Sequence, residues 1–407
     1  MTGNGVETVP LRIGVVTNEL QLTGGVERCV LEDTRELVSA GHHVEVWYRD
    51  SRPGITDAGS AELANGDEPY DRLRVPRFRT EDRSFSPRTM VSDLRRFVRD
   101  GLQVRRSRLD VLWLNRPEHI VWGRIVSMVA GVPLVVHLHH APNYRHLRPF
   151  SGGRTHFLAV SHTMARAWAA VGVPRDRITV VPNGIDTSAF PVTTVDGQAR
   201  ARRVLGLDEH RPTVLYYGRL SVAKGVPALL GAWRRVALGA ALHERPGSGS
   251  DAPASDRSPV LVLAGLSVRE DAELVQRTVD AMPEGSVVVL PPRDDVLPLL
   301  HAADLVVMPS MLPEGFGRVV VESMAAGRPV IATDNGGTAE ILGDEWSWAT
   351  VDPADRVALA DKLVEGLDRV RHEPSIGDRA RAYVHDRYGR DVHVARLLAA
   401  LYRHTGH

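Results

Sequence analysis

Short apolar, β-branched runs recur along the chain, separated by stretches in which apolar positions return every three or four residues. The first half carries such runs in RIGVV, HVEVWY, VLWLN, PLVVHLH, HFLAVS and ITVVPNG, and the second half in TVLYYG, PVLVLAG, SVVVL, DLVVMPS and PVIAT. Most are apolar at every position, so the strands they predict are covered on both faces. Strands alternating with helices predict α/β domains with a parallel, doubly wound sheet. The series occurs twice, each copy the size of a nucleotide-binding unit, and the boundary is expected at 190/191. There a polar, helix-poor stretch (191–200) leads to a new strand at Thr213.

Length agrees, since 407 residues exceed one ordinary core. Lys plus Arg and Asp plus Glu stand at 50 each, so no global charge points to nucleic acid. Cys29 is alone, which excludes an internal disulfide framework and fits a reducing cytoplasm. The first residues lack the basic and apolar regions of a signal peptide. Residues 120–138 are apolar enough to suggest a membrane span, but Arg124, His137 and a Gly-Val-Pro break predict helix, turn and buried strand. Residues 243–259, rich in Gly, Pro, Ser and Asp, read as a surface insertion. The tail from Ala380 to His407 reads as one or two helices.

The chemistry concentrates in PEGFGRVVVESMAAGRPVIATDNGGTAEIL, residues 313–342. A strand ends at Pro309, a loop follows, and RVVVESMAA predicts a helix stopped by Gly327 with Pro329 beyond. Gly315 and Gly317 then lie at the helix start, where a ligand can approach bare backbone. Free amides and the helix dipole there favour a phosphate. Glu314 lies before the helix and Glu322 more than a turn inside it, so two polyols could flank that phosphate. A nucleoside diphosphate sugar has this layout. Arg219 and Lys224, following another strand, supply the cations a diphosphate needs.

The segment MPSMLPEGFGRVVVESMAAGRPVIATDNGGTAEIL, with GRLSVAKG, VVPNGID and TGGVERCVLEDTRELVSAGHHVEVW, resembles the family 4 glycosyltransferases, retaining enzymes of the GT-B fold. The resemblance covers nearly the whole chain and is weakest between residues 50 and 110. It implies two Rossmann-like domains facing a central cleft, with the donor on the second (191–384) and the acceptor on the first (1–190). It also implies a last helix, about 385–407, that returns to the first domain. Arg219 and Lys224 would hold the diphosphate, Glu322 the ribose, and Glu314 the transferred sugar. Backbone amides around Gly315, Phe316 and Gly317 would touch sugar or phosphate, with Gly24 and Gly25 closing from the first domain. His139 falls where the family has a histidine at the sugar's 6-position, with His137 and His140 as competing registers. The implied reaction keeps anomeric configuration, uses a UDP- or GDP-linked hexose and a hydroxyl acceptor, and needs no metal or cofactor.

The chain departs from the family in LAGLSVRE and VVVLPPRDD, and Arg293 is expected to reshape the base pocket. An epimerase or phosphorylase of the same architecture, or a non-catalytic binding protein, is the alternative class. Residues 72–108 hold twelve Arg against four acids. Met90, Leu94, Phe97, Val98 and Leu102 share one helical face there, expected to pack on the first domain's sheet; the competing reading is weak contact with an anionic membrane at the cytoplasmic face.

Overall fold

The computed structural model describes residues 9–20, 25–50, 70–142, 148–243, 258–267, 269–343 and 345–405. The expected insertion at 243–259 falls almost wholly outside them. The chain forms two compact units, Met1–Gly184 with Asp391–His407, and Ile185–Arg390. The division thus comes after Gly184, not at 190/191, and the return comes at Asp391, not near 385.

The first unit is built on β1 (Arg12–Glu19), β2 (His43–Asp50), β3 (Arg77–Arg79), β4 (Val111–Leu114), β5 (Leu134–Leu138), β6 (Thr155–Ala159) and β7 (Ile178–Val180). Their order is β3-β2-β1-β4-β5-β6-β7, with every pairing parallel. Helices α1 (Gly25–Ser39), α2 (Met90–Ser107), α3 (Ile120–Ala130) and α4 (His162–Ala170) connect them. The central strands β4 and β5 are buried at every residue, as their uniformly apolar sequences require.

The second unit repeats the plan. Strands β8 (Thr213–Tyr217), β9 (Val260–Ala264), β10 (Val287–Leu290), β11 (Leu305–Met308), β12 (Val330–Thr333) and β13 (Thr350–Val351) stand in the order β10-β9-β8-β11-β12-β13, again all parallel. Its helices are α5 (Val195–Val204), α6 (Val226–His243), α7 (Ala272–Asp280), α8 (Leu297–Ala302), α9 (Arg318–Ala325), α10 (Gly337–Leu342), α11 (Arg356–His372) and α12 (Ile376–Tyr388). Both sheets follow the Rossmann order, reversing beside their first strand.

Three expectations change. Residues 191–200 are not helix-poor, because Thr194 caps α5 by accepting the Gly197 amide at 3.1 Å. Buried Arg202 on α5 then reaches Asp304 at 2.6 Å, tying the helix to the sheet. Strands β3 and β13 were not anticipated; they are three and two residues long, at sheet edges. Helix α2 packs differently from its expected face. Phe97 is buried beside Gly101 and Val104, whereas Met90, Leu94, Val98 and Leu102 are exposed.

The last helix, α13 (Arg390–Thr405), completes the first unit. Leu397, Ala400 and Leu401 enter the core cluster of Ile13, Val30, Leu37 and Val46. Burying the two leucines contributes about 2–3 kcal/mol each. His393 adds a polar tie, with Nε2 2.7 Å from Asp33 Oδ1 on α1 and Nδ1 2.7 Å from the Pro182 carbonyl. Burial alone would depress the His393 pKa, but the Asp33 carboxylate and the Pro182 carbonyl outweigh it and raise the value.

A histidine raised in the fold contributes stability that is complete below about pH 6.5 and lost as pH climbs through the folded value. Urea unfolding should therefore show His393→Gln less stable than wild type by about 3 kcal/mol at acid pH, the gap narrowing as pH rises above the ordinary histidine value. A gap of constant size across that range would show that His393 is neutral in the fold.

Candidate active site

In the second unit β8 and β11 are neighbours where strand order reverses, the place at which open α/β sheets bind ligands. The loops leaving both strands carry the candidate residues. They are fastened to each other by the Met311 amide, which donates to the Ala223 carbonyl at 3.0 Å. Lys224 Nζ lies 2.5 Å from Glu314 Oε1, and the Ser310 hydroxyl donates to the same oxygen. The pair is only partly exposed, with side-chain accessibilities of 28% and 17%.

Glu314 is held from below by backbone. The Gly337 amide donates to the Glu314 carbonyl at 2.8 Å, and Gly336 pairs with Glu314 as an isolated parallel bridge. A β-carbon on Gly337 would lie 2.6 Å from the Gly315 and Phe316 carbonyl oxygens, and one on Gly336 2.4 Å from that of Glu314. Only glycine allows so close an approach. The Gly-Gly turn seen in the sequence therefore seats the Glu-Gly-Phe loop.

Gly317, at φ +108°, is the cap residue of α9. Its carbonyl accepts the Val320 amide at 2.9 Å and closes the first turn of the helix. Phe316 turns its ring inward, edge-on to Tyr388 at 5.7 Å and buried, so only its backbone is available to a ligand.

Glu322 is also buried. Its Oε2 accepts the Tyr217 hydroxyl at 3.0 Å, and its Oε1 accepts Arg318 Nε at 3.0 Å. Burial first, and the Glu322 charge second, raise the Tyr217 phenol well above its ordinary value, so it stays a donor. Neither partner was singled out in the sequence. The four-residue spacing of Arg318 and Glu322 was a usable signal; Tyr217, inside an apolar strand, gave none.

Arg219 is exposed, and among the described residues no carboxylate pairs with it. The Tyr216 hydroxyl donates to its carbonyl at 2.6 Å and anchors its backbone. Burial, then the Glu314 charge, raises the Tyr216 pKa, while Arg219 opposes. Tyr216 thus feels both residues. Arg293 is exposed on the loop after β10, and among the described residues no hydrogen bond or ion pair joins it to Arg219, Lys224 or Glu314.

The first-unit candidates are built as follows. Gly24 lies outside the described residues, while Gly25 opens α1 and is exposed. Two residues on, buried Glu27 pairs with Arg116 from the loop after β4, at the reversal point of that sheet. His137 and His139 lie on the same side of the chain, ring centroids 3.9 Å apart. His137 is sealed, and burial holds its pKa far down. Burial, with the His140 and Arg116 charges behind it, pushes His139 down to about 3. Among the described residues His139 Nε2 has no hydrogen-bond partner. His140 instead lies 2.9 Å from Glu118, whose carboxylate raises its pKa. Among the described residues no three His, Cys, Asp or Glu side chains gather as a metal site would require.

Residues 23–189 match the family described as Glycosyltransferase Family 4, and residues 211–369 match Glycosyl transferases group 1. A D-inositol 3-phosphate glycosyltransferase of Salinispora arenicola is 34% identical over 215 residues, covering 51% of this chain and 45% of that protein. The enzyme of the same name from Pseudarthrobacter chlorophenolicus is 26% identical over 411 residues, covering 94% and 92%. Among solved structures, Anabaena HepE in complex with UDP and glucose superposes with a TM-score of 0.75 at 20% identity, covering 97% of this chain and 100% of that one. That likeness gives the fold, GT-B, with both Rossmann-like sheets. The two family matches account for most of both units, and the chain belongs to the family 4 glycosyltransferases.

Proposed function

We propose that the protein is a retaining hexosyltransferase that moves a hexose from a UDP- or GDP-linked donor to a hydroxyl acceptor by front-face substitution, without a metal. The observation that carries this reading is the Lys224–Glu314 pair at the reversal point of the second sheet, beside a glycine-capped helix start. An ammonium has three protons. One is engaged by Glu314, leaving others for phosphate oxygens, and Arg219 can fork two more.

In the reaction the acceptor oxygen bonds to the anomeric carbon on the face from which the diphosphate departs. The electron pair of the broken bond goes to the departing oxygen, and the acceptor's proton passes to a phosphate oxygen. Charge grows on the diphosphate, where Lys224 and the amides at Gly317 are fixed in advance and Arg219 can join them. Glu314, already oriented by Ser310 and backbone, takes the sugar hydroxyls. Glu322 uses one oxygen each on Tyr217 and Arg318 and keeps lone pairs for a ribose. Arg293 belongs to the base side of the site, and Gly24 and Gly25 to the phosphates.

Its neutral ring and unpartnered Nε2 support His139 as the histidine at the sugar's 6-position. His137 is sealed, and His140 is committed to Glu118. Anabaena HepE, of the same fold, is known with UDP and glucose bound, which supports a nucleotide-sugar donor.

The test is transfer from a panel of nucleotide sugars, with the product's anomeric configuration read by NMR. The donor's configuration should be retained and the rate should be indifferent to EDTA; an inverted product or loss of rate on chelation overturns the mechanism. Lys224→Ala should lower kcat/KM by about 30- to 1000-fold, or about 2–4 kcal/mol of transition-state stabilisation, with the melting temperature little changed. Glu322→Ala should weaken nucleoside diphosphate binding about tenfold or more in a thermal-shift titration. Wild-type affinity in that variant would remove Glu322 from the donor site.

A further inference from the structure

Helix α2 turns an apolar stripe to solvent. Val91, Leu94, Val98 and Leu102 are 61%, 46%, 37% and 44% exposed, and their spacing of three and four residues sets them in one row. The core-facing side is occupied by Phe97, Gly101 and Val104, with Gly101 against Val129 of α3. Packing on the sheet therefore leaves this row uncovered among the described residues.

Charge follows the row. Arg95, Arg99 and Arg106 run along one flank at helical spacing, all exposed. Arg99 reaches Glu81 at 3.1 Å, but among the described residues Arg95 and Arg106 pair with no carboxylate. The helix's own acids face inward. Asp93 accepts the Thr89 hydroxyl at 2.6 Å, and Asp100 accepts the Trp122 indole at 3.0 Å. The helix itself thus turns outward a narrow apolar row with a positive border, and the exposed carboxylate beside it, Glu81, is paired with Arg99.

We propose that this face of α2 docks the protein on an anionic lipid surface, the aliphatic row entering the interface and the arginines meeting lipid phosphates. A row of about 17 Å lying along the helix axis suits a helix resting in the membrane plane. Arginine stems can lie on the apolar boundary while their heads reach the phosphates. A second copy is a poor occupant, because it brings a matching arginine border and no outward carboxylate on this helix. No helix among the described residues is long and apolar enough to cross a membrane, so the contact is peripheral. It is independent of the sugar-transfer reading, since none of these residues belongs to the proposed site.

The test is co-sedimentation of the full chain with phosphatidylcholine vesicles, with and without phosphatidylglycerol. Binding should require phosphatidylglycerol and fall at least tenfold as salt is raised. The triple variant Leu94→Gln, Val98→Gln, Leu102→Gln and the double variant Arg95→Gln, Arg106→Gln should each bind at least tenfold more weakly, with unchanged melting curves. No binding to phosphatidylglycerol vesicles at low salt, or equal binding by all variants, overturns the proposal. So does a lipid-free dimer, seen by analytical ultracentrifugation, that the triple variant abolishes. Sugar transfer is not the readout, so failure here leaves the transferase reading standing.

Discussion

The site rests on one backbone contact: the loop carrying Glu314 lies flat against the start of α10, with glycines 336 and 337 leaving no side chain between them. Neighbouring strand ends in a parallel sheet are about 4.8 Å apart. The loop after β12 carries glycines where the loop after β11 comes against it, and a β-carbon at either would collide with that loop's backbone. The carbonyl of Glu314 is then captured by an amide, and Ser310 and Lys224 hold its carboxylate. Thr338 extends the same seat, its methyl lying under Gly317.

On that seat the charged groups are arranged in pairs before any substrate arrives. Glu314 has Lys224 and Ser310; Glu322 has Tyr217 and Arg318. A buried carboxylate left alone would resist ionisation, whereas each of these has a donor on it. Arg219 is the exception, solvent-facing and held only through its backbone by Tyr216. On the proposed function, the acids would meet the sugars already paired, whereas Arg219, with no carboxylate partner among the described residues, would move to a phosphate.

Much of this was readable in advance because burial on both faces writes strands such as VLWL and LVVHL as unbroken apolar runs. The short edge strands β3 and β13 have no such run to betray them. The acids and glycines of the candidate site stood out by their spacing around a helix start, next to an Arg and a Lys after another strand. Tyr217 could not, since a tyrosine in a buried strand looks like any aromatic core residue until its hydroxyl is seen on Glu322. Helix α2 was misjudged for a different reason. Periodicity locates an apolar face but does not say whether core or solvent meets it, and here Asp93 and Asp100 occupy the inner side because Thr89 and Trp122 satisfy them.

Helix α13 gives the first unit a peculiar relation to its own synthesis. Strands β1 to β7 leave the ribosome early, yet the hydrophobic cluster around Ile13 and Val30 is filled by side chains of α13, made long after them. Some two hundred residues of an independently compact unit are made in between. The amino-terminal sheet must wait with one wall of its interior missing, so a lesion in α13 would strike the unit that was translated first.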